Sequence, residues 1–383
     1  MSNSAFALII LFGLVSLFSD ATYEGMRSVI GPYLAFLGAS GFVIGVVTGI
    51  GEFIGYALRL LSGTLSDRTG RYWLIAWVGY LINLLAVPLL AFANRWEVAA
   101  ALVIAERLGK ALRTPARDAL ISYAANKTGR GYGFGIHEAM DRVGGLLGPL
   151  LIFFVGFFGG SLHLSFLLLG IPALVSLACL ALARKRYPNP QEFEPHSHQP
   201  VSKKFPPAFW LYMGAISFIA LGFINFPLLA YFFLRDLPSQ MIPLFYALAV
   251  FVSGVASLYL GKLYDRYGMK VIFFTSMLSA LFVPFVFSSN SAAILFGMVL
   301  WGVGWGSQGS ILRAAVSRWV STERRATAYG ILNFSLGVFS FLNGAIIGLL
   351  IDRSLIGMIL FSLIAQFLAL PLLYLVGRYE TNR

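Results

Sequence analysis

Charged side chains recur inside long apolar stretches of this sequence, where each ionisable group is costly unless it faces a cavity or a partner. Carboxylates in such surroundings can bind and release protons, and arginines can bind carboxylate or phosphate groups. In the first half they are Asp20, Glu24, Arg27, Glu52, Arg59, Glu106, Arg107, Lys110, Arg113, Arg117, Asp118, His137, Glu138, Asp141 and Arg142. The pattern indicates proton or ion handling.

Helical spacing places several of these groups on shared faces. The sets are Asp20, Glu24 and Arg27 in the first predicted helix; Glu106, Lys110, Arg113 and Arg117 in the fourth; and His137 with Asp141 and Glu138 with Arg142 in the fifth. Each acid has two competing roles, proton coupling or a permanent pair with an arginine. We rank Glu138 and Asp141 first for coupling, since helix rise puts them about 10–15 Å from the cytoplasmic helix end. Asp20, Glu24 and Glu52 follow.

The solute-binding candidates form an ionic wall in the first half and an aromatic wall in the second. The cationic stripe suits an anionic or zwitterionic solute, unless neighbouring acids already satisfy it. Asn225 and Phe226 beside Pro227 predict a break in the seventh helix. The candidates are Arg27, Glu106, Lys110, Arg113, Arg117, His137, Arg142, Asn225, Trp301, Trp305, Gln308 and Asn333.

Composition requires a bilayer around the elements that carry these residues. The chain has 383 residues, 58% hydrophobic and 11% charged, with mean hydropathy +0.80. Soluble domains carry roughly 25% charged residues. Twelve apolar stretches between residues 5 and 377 are long enough to cross about 30 Å of hydrocarbon, so we predict an all-α integral membrane protein with twelve transmembrane helices.

Lysine and arginine positions predict the orientation. Alternate loops hold 17 and 3 of these residues, and basic loops favour the cytoplasm. We therefore expect a multi-pass protein of the cell membrane with both termini cytoplasmic. The net charge of +12 follows from this topology, so a nucleic-acid partner is not expected, whereas membrane lipids are.

A polar, proline-rich stretch divides the chain in its centre. Residues 185–206 are predicted to be a cytoplasmic linker between six-helix bundles at 1–184 and 207–383. His196 and His198 lie in this linker without further ligand residues, so no metal site is assigned.

A nine-residue charged turn occurs twice, beginning at Gly63 and at Gly261, 198 residues apart. Each copy lies between the second and third helices of its half, and the turn resembles the signature loop of the major facilitator superfamily. That resemblance implies two pseudo-symmetric six-helix bundles, with the turn acting as a conformational gate. The matching residues are Gly63, Asp67, Arg68, Gly70 and Arg71 in the first copy and Gly261, Asp265, Arg266 and Gly268 in the second.

A second resemblance concerns the fifth helix. Gly144, Gly148 and Pro149 are similar to the first part of the antiporter motif of the drug:proton exporters, although Ile152 and Phe153 replace its final glycine pair. A glycine-rich helix with a proline is also a plain packing surface.

Together these features predict a secondary active transporter that moves a small organic solute by alternating access, by proton-coupled export. The alternatives are uptake of an organic anion or zwitterion, proton-coupled or facilitated, and a lipid flippase or non-transporting receptor. No Walker loop, metal-ligand cluster or nucleophile motif is recognisable, so neither an enzyme nor a cofactor beyond the proton is expected. We expect a monomer.

Overall fold

The computed structural model describes residues 3–128, 130–188, 205–319 and 325–381. These residues are mostly helical, and they contain no β-strand. The α-helices are α1 (Asn3–Phe36), α2 (Gly41–Thr69), α3 (Tyr72–Leu89), α4 (Trp96–Thr128), α5 (Arg130–Phe157), α6 (Leu162–Arg186), α7 (Pro207–Gly222), α8 (Phe226–Phe233), α9 (Ile242–Tyr267), α10 (Met269–Ala280), α11 (Phe282–Val286), α12 (Ser291–Trp319), α13 (Arg325–Arg353) and α14 (Leu355–Thr381).

These helices follow the twelve predicted apolar stretches. Ten segments of the described residues are long and apolar enough to cross a membrane. The predicted fourth and tenth spans are helical too, as α4 and α12.

Two predicted spans consist of two helices each. The break in the seventh, predicted from the sequence, lies between α7 and α8. The ninth was predicted as one helix, but it divides at Leu281 into α10 and α11. Pro284 explains this difference, because proline has no N–H to donate to the carbonyl of Ala280 one turn earlier.

The described helices form two compact units. The first comprises Met1–Gly38, Ile54–His198 and Gln240–Ala247. The second comprises Ala39–Phe53, Gln199–Ser239 and Leu248–Arg383. Most of the predicted linker, residues 189–204 with His196 and His198, lies outside the described residues, and the predicted domain limits stay a prediction.

In the first compact unit, α1 packs against α5, α6 and α4, and α3 packs against α4. Glycines allow the closest of these approaches: a Cβ atom at Gly144 would overlap the carbonyl oxygen of Leu17, and one at Gly109 would overlap the backbone of Asn83. Such small-residue contacts are a common way to pack helices in lipid. The helix faces that carry charged residues are thereby brought together.

In the second compact unit, α7 packs against α14 and α13. The buried Tyr212 of α7 donates a hydrogen bond of 2.8 Å to the carbonyl of Leu312 in α12. Gly45 of α2 and Gly344 of α13 also lie in this unit with their backbones in close approach.

Candidate functional site

A set of ionisable residues that are buried or nearly buried lies in the first compact unit, and we call it the charged cluster. It is built from α1, α4 and α5, which also pack on one another. Its members are Asp20, Glu24, Arg27, Glu106, Arg107, Lys110, Arg113 and Asp141.

The predicted antiporter-like residues hold α5 against α1 beside this cluster. A Cβ atom at Gly148 would overlap the carbonyl oxygen of Ala21, and one at Gly144 would overlap that of Leu17. Pro149 is buried next to Gly148. The three residues therefore position the Asp20 face of α1 relative to the Asp141 face of α5.

Glu24 is the point where cations from two helices and a tyrosine meet. The Tyr246 hydroxyl donates a hydrogen bond of 2.5 Å to Glu24 Oε2. Arg27 Nη1 lies 3.9 Å and Lys110 Nζ 4.0 Å from Glu24 Oε1. The Lys110 distance exceeds the roughly 2.7–2.9 Å of a typical charge-assisted N–H···O bond, so Glu24 holds this lysine loosely.

Tyr23 connects the lysine to the next acid of α1. Lys110 Nζ lies 3.7 Å from the centroid of the Tyr23 ring, which is a cation–π contact. The Tyr23 hydroxyl donates a hydrogen bond of 2.5 Å to Asp20 Oδ1. Asp20 thus has a neutral hydrogen-bond donor.

Asp141 of α5 is partly buried, with 18% of its side chain exposed. Its Oδ2 lies 3.8 Å from His137 Nδ1, and its Oδ1 has no hydrogen-bond partner among the described residues. Ser16 Oγ and His137 Nε2 are 2.7 Å apart and hydrogen-bonded. Asp20 is next to Ala21, whose carbonyl oxygen lies against Gly148 of α5, so the two acids lie on closely packed helices. Carboxylates that approach each other in a poorly hydrated site repel.

The predicted cationic stripe includes a fully buried arginine. Arg113 Nε donates a hydrogen bond of 3.2 Å to Asn83 Oδ1, and its guanidinium lies 4.4 Å from the centroid of the Tyr80 ring. Asn83 Nδ2 in turn donates to Glu106 Oε1 at 2.7 Å, and Arg107 pairs with Glu106 at 3.2 Å. This network joins α3 to α4 within the charged cluster.

Two predicted cations have acidic partners of their own. Arg117 binds Asp118 through Nε and Nη2 at 2.9 and 2.8 Å. Arg142 binds Glu138 through Nε and Nη2 at 3.1 and 2.9 Å, with 61% of the Glu138 side chain exposed. The remaining coupling candidate, Glu52, lies in the second compact unit.

The aromatic candidates lie in the second compact unit around the helix break. Trp301 Nε1 donates a hydrogen bond of 3.0 Å to the carbonyl of Ile224, inside the break. The Trp301 ring stacks on Phe223 and lies 5.2 Å from Trp305, centroid to centroid. Trp301 therefore stabilises the helix break by hydrogen bonding and ring stacking, and Trp305 packs beside it.

Buried amide groups accompany these aromatic residues. Asn225 Nδ2, Gln308 Nε2 and Asn333 Oδ1 are buried atoms without a hydrogen-bond partner in the part of the chain that the structure describes. Unpaired buried amides cost free energy, which is consistent with positions that await a polar ligand group.

Both copies of the signature turn contain a glycine in the left-handed region. Gly70 has φ 64° and Gly268 has φ 60°. Asp67 of the first copy accepts a hydrogen bond of 3.0 Å from the hydroxyl of Tyr72, the residue that follows Arg71. In the second copy the Arg266 guanidinium lies 5.2 Å from the centroid of the Tyr267 ring.

Sequence reasoning missed the neutral partners of the site. Tyr23, Asn83 and Tyr246 bind the charged cluster, and Asn343 and Gln366 bind carbonyls of the helix break. Each is a polar residue in an apolar helix, which is the only signal the sequence offers for them. Among the described residues no group of three or more His, Cys, Asp or Glu side chains is placed to hold a metal.

Comparison with known families agrees with the architecture. The family model described as Major Facilitator Superfamily matches residues 5–342, and again residues 244–383. The chain belongs to the major facilitator superfamily. As a superfamily member it is a transporter rather than an enzyme, which confirms the predictions of a multi-pass membrane protein and of secondary transport.

Relatives of this superfamily member occur in bacteria and archaea. An uncharacterized protein of Mycobacterium tuberculosis is 40% identical over 384 residues, covering 97% of this chain and 93% of the relative. An uncharacterized MFS-type transporter of Methanocaldococcus jannaschii is 27% identical over 346 residues, covering 87% of this chain and 85% of the relative.

A solved structure confirms the all-α superfamily fold. It is a bacterial homologue of the human lysosomal transporter Spinster, described as inward-facing and unoccupied. The two structures align with a TM-score of 0.77 over 99% of this chain and 98% of the homologue, at 14% sequence identity. At this identity the likeness concerns the fold alone, and the drug:proton antiporter subtype stays a prediction.

Proposed function

We propose that this superfamily member is a proton-coupled secondary transporter of a small organic solute, and that Asp20 and Asp141 hold the proton. The observation that carries the proposal is the pair of carboxylates on the packed helices α1 and α5, one buried and one partly buried. Asp141 Oδ1 has no hydrogen-bond partner among the described residues, and Asp20 accepts its hydrogen bond from a neutral phenol. Burial near a like charge favours a proton on one of two such acids.

The contacts favour this pair over Glu138 as the coupling site. Glu138 accepts two hydrogen bonds from Arg142 and is largely exposed. An exposed acid that accepts two hydrogen bonds from an arginine of its own helix has the contacts of a surface ion pair. Glu138 is better explained as a structural pair.

We place the solute at Glu24, Arg27 and Lys110. Lys110 Nζ lies 4.0 Å from Glu24 Oε1, which leaves N–H donors of the lysine available to a ligand. The side chains of Arg27 and Lys110 are 16% and 17% exposed, whereas Arg113 is fully buried. This supports a solute that binds Lys110 and Arg27 while Arg113 holds α3 and α4 in place.

The glycines of the fifth helix do not decide between export and uptake. Export by antiport was expected from the glycines of the fifth helix, but Gly144 and Gly148 serve the close packing of α5 on α1, which either direction requires. A lipid flippase or a receptor is the alternative class. Flux of a water-soluble solute into sealed vesicles would separate a transporter from both.

The experiment uses full-length protein in proteoliposomes, with solutes first found by thermal-shift screening. Flux is measured with and without an imposed pH gradient, and as solute exchange at equal pH. We expect Asp20→Asn and Asp141→Asn to abolish the response to the gradient while exchange persists. Glu97→Gln, which changes an exposed acid paired with Arg95, is the matched control and should behave as wild type.

The outcome for Glu138→Gln decides between the two coupling sites. A normal gradient response in Glu138→Gln supports the Asp20–Asp141 pair. Wild-type flux that ignores the pH gradient, or a normal response in both asparagine variants, would overturn the proposal.

A further inference from the structure

Lys110 has donors that no described residue uses. Its ammonium lies 4.0 Å from Glu24 Oε1 and 3.7 Å from the centroid of the Tyr23 ring, and it makes no hydrogen bond to any residue that the structure describes. An ammonium group carries three N–H donors. Because the side chain is 17% exposed, an acceptor from outside the chain can reach it.

Formal charges in the charged cluster balance when every acid is ionised. Four acids face four bases: Asp20, Glu24, Glu106 and Asp141 against Arg27, Arg107, Lys110 and Arg113. Arg117 and Arg142 lie outside this count, because Asp118 and Glu138 match them. Histidine is counted as neutral.

The groups that face the proposed proton site come from all the helices packed around it. From α3, Tyr80 lies against Arg113, and from α6, Ser176 faces Ser19 of α1. From α9, Tyr246 binds Glu24. The charged or titratable groups of α1, α4 and α5 that act on Asp20 or Asp141 are Tyr23, Glu24, Lys110, Arg113, Arg117, His137, Glu138 and Arg142.

A proton on the Asp20–Asp141 pair leaves the charged cluster with one net positive charge. In a buried site this charge attracts an anion and repels a cation, since screening by water is weak there. Binding is reciprocal, so an anion that binds more tightly to the protonated site raises the proton affinity of that site by the same factor. A cationic solute would instead compete with the proton.

We propose that the solute is an organic anion whose charged group binds Lys110, and that it is carried together with a proton. This inference rests on the proposed function, because it takes Asp20 and Asp141 as the proton site. It replaces antiport with symport: proton and anion bind together, cross together and leave together. A carboxylate or phosphate head suits the site, because either accepts several N–H donors.

Ligand binding to the purified full-length protein tests the proposal. The probes are organic monocarboxylates and monophosphates, each matched with a primary amine and a neutral amide of the same skeleton. The readout is the concentration dependence of the thermal shift, measured from about pH 7.5 to about pH 5.5, where carboxylates are still ionised. Variants are Lys110→Gln, Lys110→Arg and Asp141→Asn, with Lys185→Gln as a control at an exposed cytoplasmic lysine.

We expect acids alone to stabilise the protein and to bind more tightly as the pH falls. Lys110→Gln should weaken acid binding about tenfold or more, because a hydrogen bond to a charged group is lost. Lys110→Arg and Lys185→Gln should retain it, and Asp141→Asn should bind acids with little dependence on pH. Lys110→Gln must elute as the wild-type protein does, and Lys110→Arg guards against a loss of folding.

Several results would overturn the inference. Failure of every acid to stabilise the wild type, or acid binding that survives in Lys110→Gln, removes the anion site. Stabilisation by amines or amides that depends on Asp141 removes the anion but leaves the proton-coupled transporter intact. Acid binding that needs Lys110 but ignores both pH and Asp141 removes co-transport and, with it, the proposed proton site.

Discussion

Replacing Tyr246 with phenylalanine removes the hydroxyl that joins residues 240–247 of α9 to Glu24. Both partners are buried, and the hydrogen bond is 2.5 Å long. A hydrogen bond to a charged group contributes about 1.5–3 kcal/mol. Its loss should therefore favour detachment of this segment by about 10–150-fold, since 1.4 kcal/mol is about a factor of ten.

Thiol labelling measures that detachment. The reporter is Ile242→Cys, a fully buried position in the same segment, in a Cys179→Ala background because the sequence has one cysteine. In purified full-length protein, a maleimide should label this cysteine about 10–150-fold faster in Tyr246→Phe, if labelling follows the opening equilibrium.

Tyr212→Phe is the matched control. It also removes one buried tyrosine hydroxyl that donates a hydrogen bond, but in the second compact unit, where the acceptor is the carbonyl of Leu312. Its labelling rate at residue 242 should equal that of the reporter alone. Equal rates in Tyr246→Phe and in the control would refute the view that the Glu24 contact holds this segment.

Two further changes test local structure. Gly268→Ala should lower the free energy of unfolding in detergent by about 1–3 kcal/mol, because φ 60° and ψ −138° suit glycine alone. Gly261→Ala is the control and should be neutral or stabilising, because nothing lies near its Cβ position in the helix. Thermal unfolding compares the two variants. Trp301→Phe keeps an aromatic ring but removes the N–H that donates to the carbonyl of Ile224. Amide hydrogen exchange at residues 222–226 should become faster, by the factor that corresponds to a loss of about 1–3 kcal/mol in the free energy of local opening. Unchanged exchange there would count against the bond.

The break in the seventh helix shows what local sequence can and cannot predict. Asn225 and Pro227 made the break predictable, because proline cannot continue the hydrogen-bond ladder. Its partners were not predictable, since Asn343 donates to the carbonyl of Leu221 and Gln366 to that of Gly222 across more than a hundred residues. Long-range choices of partner depend on packing rather than on helical period.

The charged cluster also has features that the sequence predicts and features that it does not. Period 3.6 correctly places Asp20 and Glu24 on one face of α1, because both lie in the charged cluster. The spacing of Glu138 and Arg142 also predicted their pair. Depth along the helix ranked Glu138 and Asp141 first for coupling, but depth does not report exposure: 61% of the Glu138 side chain is exposed, against 18% for Asp141.

The two compact units differ in the chemistry they offer to a solute. The predicted spans of the second half contain no carboxylate in the sequence, and the buried polar groups described there include amides and the Trp301 indole. Amides do not change charge with pH. The amides themselves therefore cannot respond to a proton gradient, and we assign that response to Asp20 and Asp141 of the first unit. Because the Gln308 amide does not titrate, Gln308→Ala should leave the pH dependence of solute binding as it is in the wild type, even where it changes which solute binds.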